Sequence, residues 1–288
     1  MERVRLDEKS SAGFAVISWH DQLQLAWTGN DLRINLASSP DGREITAKQR
    51  LDQRSYKQVT TSTGDTSSTR RVALAPSLAT AGDRLYLAWT GSNSAVNLLA
   101  AEPPAPAPLA LRERSGHSPS IAASGDGGLM LAWTGTDRHV NLLTLDHEPS
   151  PEPGAPGAAK TTLEQARSAD PPAVCCHRGS PVLAWTGTDH RVNIVTGATP
   201  SAGPPVRLDG ARSAHGPALC SHQGGLVLAW TGTDHHVNIL TGAEQPLGTP
   251  VRLDEARTMH APALCSHQGS LIVAWSGTDR RLNLARLS

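Results

Sequence analysis

LVLAWTGTDHHVNIL, residues 226–240, decides the fold, because the chain repeats it with small changes along its whole length. The other copies are LQLAWTGNDLRINL (23–36), LYLAWTGSNSAVNLL (85–99), LMLAWTGTDRHVNLL (129–143), PVLAWTGTDHRVNIV (181–195) and LIVAWSGTDRRLNLA (271–285). Their tryptophans, Trp27, Trp89, Trp133, Trp185, Trp230 and Trp275, stand 62, 44, 52, 45 and 45 residues apart. A basic period near 45 is too long for a leucine-rich repeat and suits one four-stranded blade of a β-propeller.

Around each copy the unit reads as four short strands. In the last full one these are PVRLDEA (250–256), APALCSH (261–267), SLIVAWSG (270–277) and RRLNLA (280–285), with Gly, Asp, Asn and Pro at the joins. No stretch sustains a 3.6-residue apolar period with caps, so no substantial helix is predicted. Runs such as VLAW are apolar on both faces, as blades stacked between neighbours require, and the Ala before each Trp suits close approach of sheets. The N-terminal ERVRLDE (2–8) matches the outer-strand segments PVRLDG (205–210) and PVRLDE (250–255), and LNLARLS (282–288) stops where another outer strand is due. The first strand is therefore expected to complete the last blade, removing two exposed edges.

The prediction is an all-β, six-bladed β-propeller of four-stranded antiparallel blades, one domain over 1–288. The blades fall at about 11–54, 72–114, 117–167, 170–212, 215–257 and 260–288, the last completed by 1–8. Three stretches read as surface loops: SYKQVTTSTGDTSSTRR (55–71), with an excess of about 17 residues over the period, PPAPAP (103–108) and EPSPEPGAPG (148–157).

Composition narrows the partners. Twenty-six basic residues balance 26 acidic ones, against the basic excess of a nucleic-acid binder or the basic face of a membrane-surface binder. The start, MERVRLDEKSSAG, lacks a signal-peptide core and no apolar run approaches a membrane span, so a soluble, cytoplasmic protein without membrane insertion is expected. Cys175, Cys176, Cys220 and Cys265 are too sparse for a disulfide framework and form no Cys-x-x-Cys pair; they read as small buried residues.

The repeated Leu-x-Leu-Ala-Trp-Thr-Gly-Thr-Asp…Asn resembles the repeat of bacterial β-propeller proteins, several groups of which are lectins. That wider class includes six-bladed fucose-binding lectins and tachylectin-like ones. In the fucose-binding members the sugar sits between blades, held by an Arg, an acidic residue and a Trp. The resemblance implies an analogue in LEQARS (163–168), LDGARS (208–213) and LDEART (253–258), where Arg167, Arg212 and Arg257 follow Glu164, Asp209 and Asp254.

Two readings compete at each repeated polar position. In the Trp-Thr-Gly-Thr-Asp turn, Gly would permit a positive φ and Thr and Asp would cap backbone groups, while the following Asn (Asn35, Asn97, Asn141, Asn193, Asn238, Asn283) would tie blades together. Alternatively Trp133, Trp185, Trp230 and Trp275 would stack on a sugar, with Asp137, Asp189, Asp234 and Asp279 receiving its hydroxyls. Two residues after the Asp position stand Arg33, Ala95, His139, Arg191, His236 and Arg281, either a solvated tip or a ring of donors. His117, Asp170, His215 and His260 begin the innermost strands of blades three to six, where blades one and two have Ala12 and Leu74. They either face channel water or form an arc for metal or acid–base work. His177, His222 and His267, in the opposite-face turns, are expected to bond backbone.

The leading expectation is a multivalent carbohydrate-binding propeller, its partner a carbohydrate or other small polar ligand, with no cofactor and the metal question open. Weak sites on a rigid ring would gain by avidity. An enzyme with one site at the channel mouth, built on His117, Asp170, His215 and His260, and an interaction scaffold using 55–71 are the alternatives.

Overall fold

A computed structural model describes residues 2–63, 66–102, 107–145, 158–197, 203–242 and 248–287. They form six four-stranded antiparallel sheets and a separate hairpin, and no helix. Blade 1 runs Phe14–Trp19, Gln22–Thr28, Arg33–Ser39, Ala47–Arg54, from the innermost strand outward. Blades 2 to 5 repeat this order and end on the outer strands Leu109–Arg114, Ala158–Arg167, Val206–Arg212 and Val251–Arg257. Blade 6 supplies Ala263–His267, Ser270–Ser276 and Arg281–Leu287, and its outer strand is the chain's first, Glu2–Lys9. Val4 pairs with Leu284 and Arg5 with Asn283, so the amino terminus closes the ring as its sequence foretold. The innermost strands neighbour one another in an unbroken circuit, blade 1 beside both blade 2 and blade 6.

Burial follows the repeat. Six apolar clusters fill the six seams between blades, each holding one repeated Trp. The cluster between blades 3 and 4, for example, packs Met130, Ala132 and Ala166 against Leu183, Trp185 and Val195. The Ala before each Trp is fully buried, which lets the sheets approach.

A ring of hydroxyls joins the blades. The residue after each Trp is 0 % exposed. Thr28 donates to the Leu74 carbonyl (2.7 Å), Thr90 to His117 (2.6 Å), Thr134 to Asp170 (2.7 Å), Thr186 to His215 (2.6 Å), Thr231 to His260 (2.7 Å) and Ser276 to Ala12 (2.7 Å). Every acceptor lies at the start of the next blade's innermost strand. On the other face His177, His222 and His267 bond through Nδ1 to the Oγ of Ser221, Ser266 and Ser18 in the next blade, at 2.8–2.9 Å. Each of the three thus bonds an inter-blade serine, and His267 also has the expected backbone partner, the Pro40 carbonyl at 3.3 Å.

Segment 55–71 is not a loop. Tyr56–Thr63 and Thr66–Ala73 pair as an exposed antiparallel hairpin, with Thr60 and Thr69 bonded across it at 3.0 Å. EPSPEPGAPG (148–157) and most of PPAPAP (103–108) lie outside the described residues.

Candidate functional site

The Trp-Thr-Gly-Thr-Asp turn is built for itself. Gly187 N donates to the Arg191 carbonyl and His190 N to the Gly187 carbonyl, a tight turn closed by a left-handed residue. That residue is His190 (φ 63°), not the glycine; Leu32, Ser94, Arg138, His235 and Arg280 do the same in the other blades. The glycine is needed for room: a Cβ at Gly187 would lie 2.7 Å from Asp189 Oδ1 and 3.0 Å from Asn193 Nδ2. Asp189 Oδ1 accepts from Arg191 N at 3.1 Å, and Asn193 donates to the Arg191 carbonyl at 2.9 Å. The same two bonds recur at Asp137 with Asn141, Asp234 with Asn238 and Asp279 with Asn283. The repeated Asn therefore ties its own turn, not neighbouring blades.

The donors at the turn tips are already matched to carboxylates. Arg191 meets Asp209 (3.2 Å), His139 meets Asp137 (3.1 Å), His236 meets Asp234 (3.1 Å) and Arg281 meets Asp7. His139 holds the Asp137 carboxyl below the usual carboxylate range. The tryptophans expected to stack on a ligand are packed inside the seams: Trp133, Trp185, Trp230 and Trp275 are 1–3 % exposed.

The Arg-bearing outer strands come closest to what the sequence promised. Between blades 3 and 4 a cleft of about 370 Å³ collects Glu164, Gln165 and Arg167 from one outer strand and Trp185, Asp189, Asn193 and Pro205 from the next blade. This lies within the size range of small-molecule sites, roughly 300–1,000 Å³. Arg167 donates to the Asp137 carbonyl at 3.3 Å and is otherwise exposed. Among the described residues the guanidinium groups of Arg212 and Arg257 have no partner, and both are exposed.

Strand register adds three residues that sequence reading missed. Arg167, Arg212 and Arg257 pair with His139, Arg191 and His236. Lys9, Arg54 and Arg114 occupy the same position opposite Arg281, Arg33 and Ala95. All six outer strands thus present an exposed cation one residue before a fully buried Ser or Thr (Ser10, Ser55, Ser115, Ser168, Ser213, Thr258). The bulge that hides the equivalence is one residue longer in blades 3 to 5, where Ala166, Ala211 and Ala256 fill it.

His117, Asp170, His215 and His260 do line one cavity, about 330 Å³ at the mouth of the central channel, with Lys57 from the hairpin. Burial pushes His117 and His260 down to about 4, lowers His215, and raises Asp170. The His215 and His260 rings are 6.4 Å apart, and His215 Nε2 is buried without a partner. Among the described residues no group of three or more His, Cys, Asp or Glu is placed to hold a metal ion.

No family model matches the chain, and no curated protein matches it. Solved structures do. A variant of AofleA from Arthrobotrys oligospora is similar over 100 % of this chain and 86 % of its own, at 10 % identity and a TM-score of 0.67. The Aleuria aurantia lectin, described as a six-bladed β-propeller with a novel fucose recognition mode, covers 99 % and 93 % at 9 % identity and 0.65. The SapL1 lectin, solved with α-methyl fucoside, covers 97 % and 94 % at 13 % identity and 0.63. At these identities the likeness establishes a shared fold.

Proposed function

We propose that this protein is a multivalent carbohydrate-binding propeller whose sugar sites lie in the seams between blades, at the outer strands. The observation that carries this is the cleft between blades 3 and 4, where Arg167, Glu164 and Gln165 face Asn193 and Trp185. A guanidinium fork, an amide and a carboxylate in one shallow cleft supply both donors and acceptors for neighbouring hydroxyls of a pyranose ring. The largely buried indole of Trp185 closes the floor of the cleft. Similar folds were solved with fucosides, which makes fucose the first sugar to test. Repetition around a rigid ring would raise affinity for a branched glycan without new contacts.

Screening on a glycan array, followed by calorimetry of methyl α-L-fucoside, tests the reading. Arg167→Ala with Arg212→Ala should remove the sites those two arginines serve, read as fewer equivalents of fucoside bound per chain, while the melting temperature holds. Binding unchanged in that double variant would overturn the assignment.

A second reading, a single site at the channel mouth, is favoured by the unpartnered His215 Nε2 in the cavity shared by His117, Asp170, His260 and Lys57. His215→Ala with His260→Ala separates the two: glycan binding survives it under the first reading and any channel-mouth activity does not.

A further inference from the structure

The six seams are not equivalent. The difference is set two residues before the partner of the repeated Asn. The partners are Arg5, Arg50, Ala110, Thr162, Arg207 and Arg252, so the positions are Arg3, Lys48, Pro108, Lys160, Pro205 and Pro250. That Pro205 lines the cleft between blades 3 and 4 shows that the position faces the seam.

Where it is basic, the side chain lies on the tryptophan. Arg3 sits 5.6 Å from the Trp275 ring centre, Lys48 5.2 Å from Trp27 and Lys160 5.1 Å from Trp133. Two of the three are held there by a carboxylate of the preceding blade: Lys48 meets Glu8 and Lys160 meets Glu113, each at 2.6 Å. Arg3 donates to Asn283 Oδ1 at 3.0 Å. A cation on the ring face, with its own counter-charge, occupies the place a sugar would take. Proline brings no charge: among the described residues no cation lies over Trp89, Trp185 or Trp230, and Pro205 and Trp185 line one open cleft. All six tryptophans are buried, at 1–3 % exposure, so the seams differ in what covers the ring and not in how far the ring is exposed.

We infer that only the three proline-rimmed seams bind sugar, those between blades 1 and 2, 3 and 4, and 4 and 5, served by Arg54, Arg167 and Arg212. The other three are sealed by Lys48, Lys160 and Arg3. This rests on the proposed function, and it removes Arg257, whose seam holds Arg3, from the binding set.

Stoichiometry by calorimetry tests it, with methyl α-L-fucoside as the probe and circular dichroism confirming that each variant is folded. The parent should bind about three equivalents. Pro205→Lys should lower this to about two, and Lys160→Ala should raise it to about four. One or six equivalents in the parent, or both variants equal to the parent, would overturn the division while leaving sugar binding intact. No heat at all would instead overturn the sugar-binding reading, and the division with it.

Discussion

Removing one hydroxyl, at Ser276, tests how the ring is closed. Ser276 is 0 % exposed, and its Oγ donates to the carbonyl of Ala12, itself 4 % exposed, at 2.7 Å. This bond spans the seam between blade 6, in which the first and last strands pair, and blade 1. Ser276→Ala keeps the volume nearly constant and leaves the Ala12 carbonyl buried without that donor, a loss of about 1–3 kcal/mol. The equivalent change in blade 5, Thr231→Val, acts on the carbonyl of His260, which also accepts from Thr258 Oγ1 at 3.5 Å. That second donor remains, so the cost is the ordinary net value of about 0.5–1.5 kcal/mol. At about 2 °C per kcal/mol for a chain of this size, Ser276→Ala should melt roughly 2–6 °C below the parent and Thr231→Val roughly 1–3 °C below. Thermal unfolding followed by circular dichroism reads both. A Ser276→Ala protein that melts with the parent, or a Thr231→Val protein that loses more, would refute the reasoning that the loss of an acceptor's one side-chain donor sets the size of the effect.

Acidification should destabilise the fold through the channel mouth. His117 and His260 are held down at about 4 by burial, against 6.5 for a free imidazole. Above about 6.5 both states are neutral there; as pH falls toward 4 the unfolded chain takes up protons that the folded one does not, so stability is lost, by up to about 3 kcal/mol per residue. His117→Gln with His260→Gln should show a smaller fall in melting temperature between pH 7.5 and 4.5, and an equal fall would refute this. Burial also raises the Cys175 and Cys265 thiols far above their ordinary value and Cys220 to about 11. A thiol reagent at pH 8 should therefore label these three only after denaturation, and rapid labelling in the native protein would contradict the packing.

What the sequence made plain was whatever burial imposes on every blade. The Leu-Ala-Trp run, the Thr after it and the N-terminal outer strand are constrained by the same seam six times over, so their pattern survives in the letters. Three things did not survive. The hairpin at Tyr56–Ala73 leaves most of its described residues exposed, so no apolar alternation marks its strands. The turn glycine was credited with a positive φ because Gly is the usual residue there; a clash with an Asp oxygen two residues on is invisible without coordinates. Lys9, Arg54 and Arg114 escaped because blades 3 to 5 carry one more buried Ala in the bulge, which shifts the cations out of linear alignment.

The same logic separates architecture from function. A residue identical in six seams answers to a constraint the six seams share, and here each such residue has a structural partner: the Trp its apolar cluster, the hydroxyl its carbonyl, the Asn its own turn. Binding must be sought where the copies differ yet remain exposed. Two places meet that condition. One is the outer-strand position that alternates between Pro and a base, deciding whether a seam is open or stoppered. The other is the channel mouth, where four blades contribute His or Asp and two contribute Ala or Leu. The first repeats and so suits a multivalent ligand; the second occurs once and suits a single small one. At the seam position three copies carry a base and three carry proline, and a cation lies over the tryptophan ring in each of the three basic seams, so the variation decides what a ligand would have to displace.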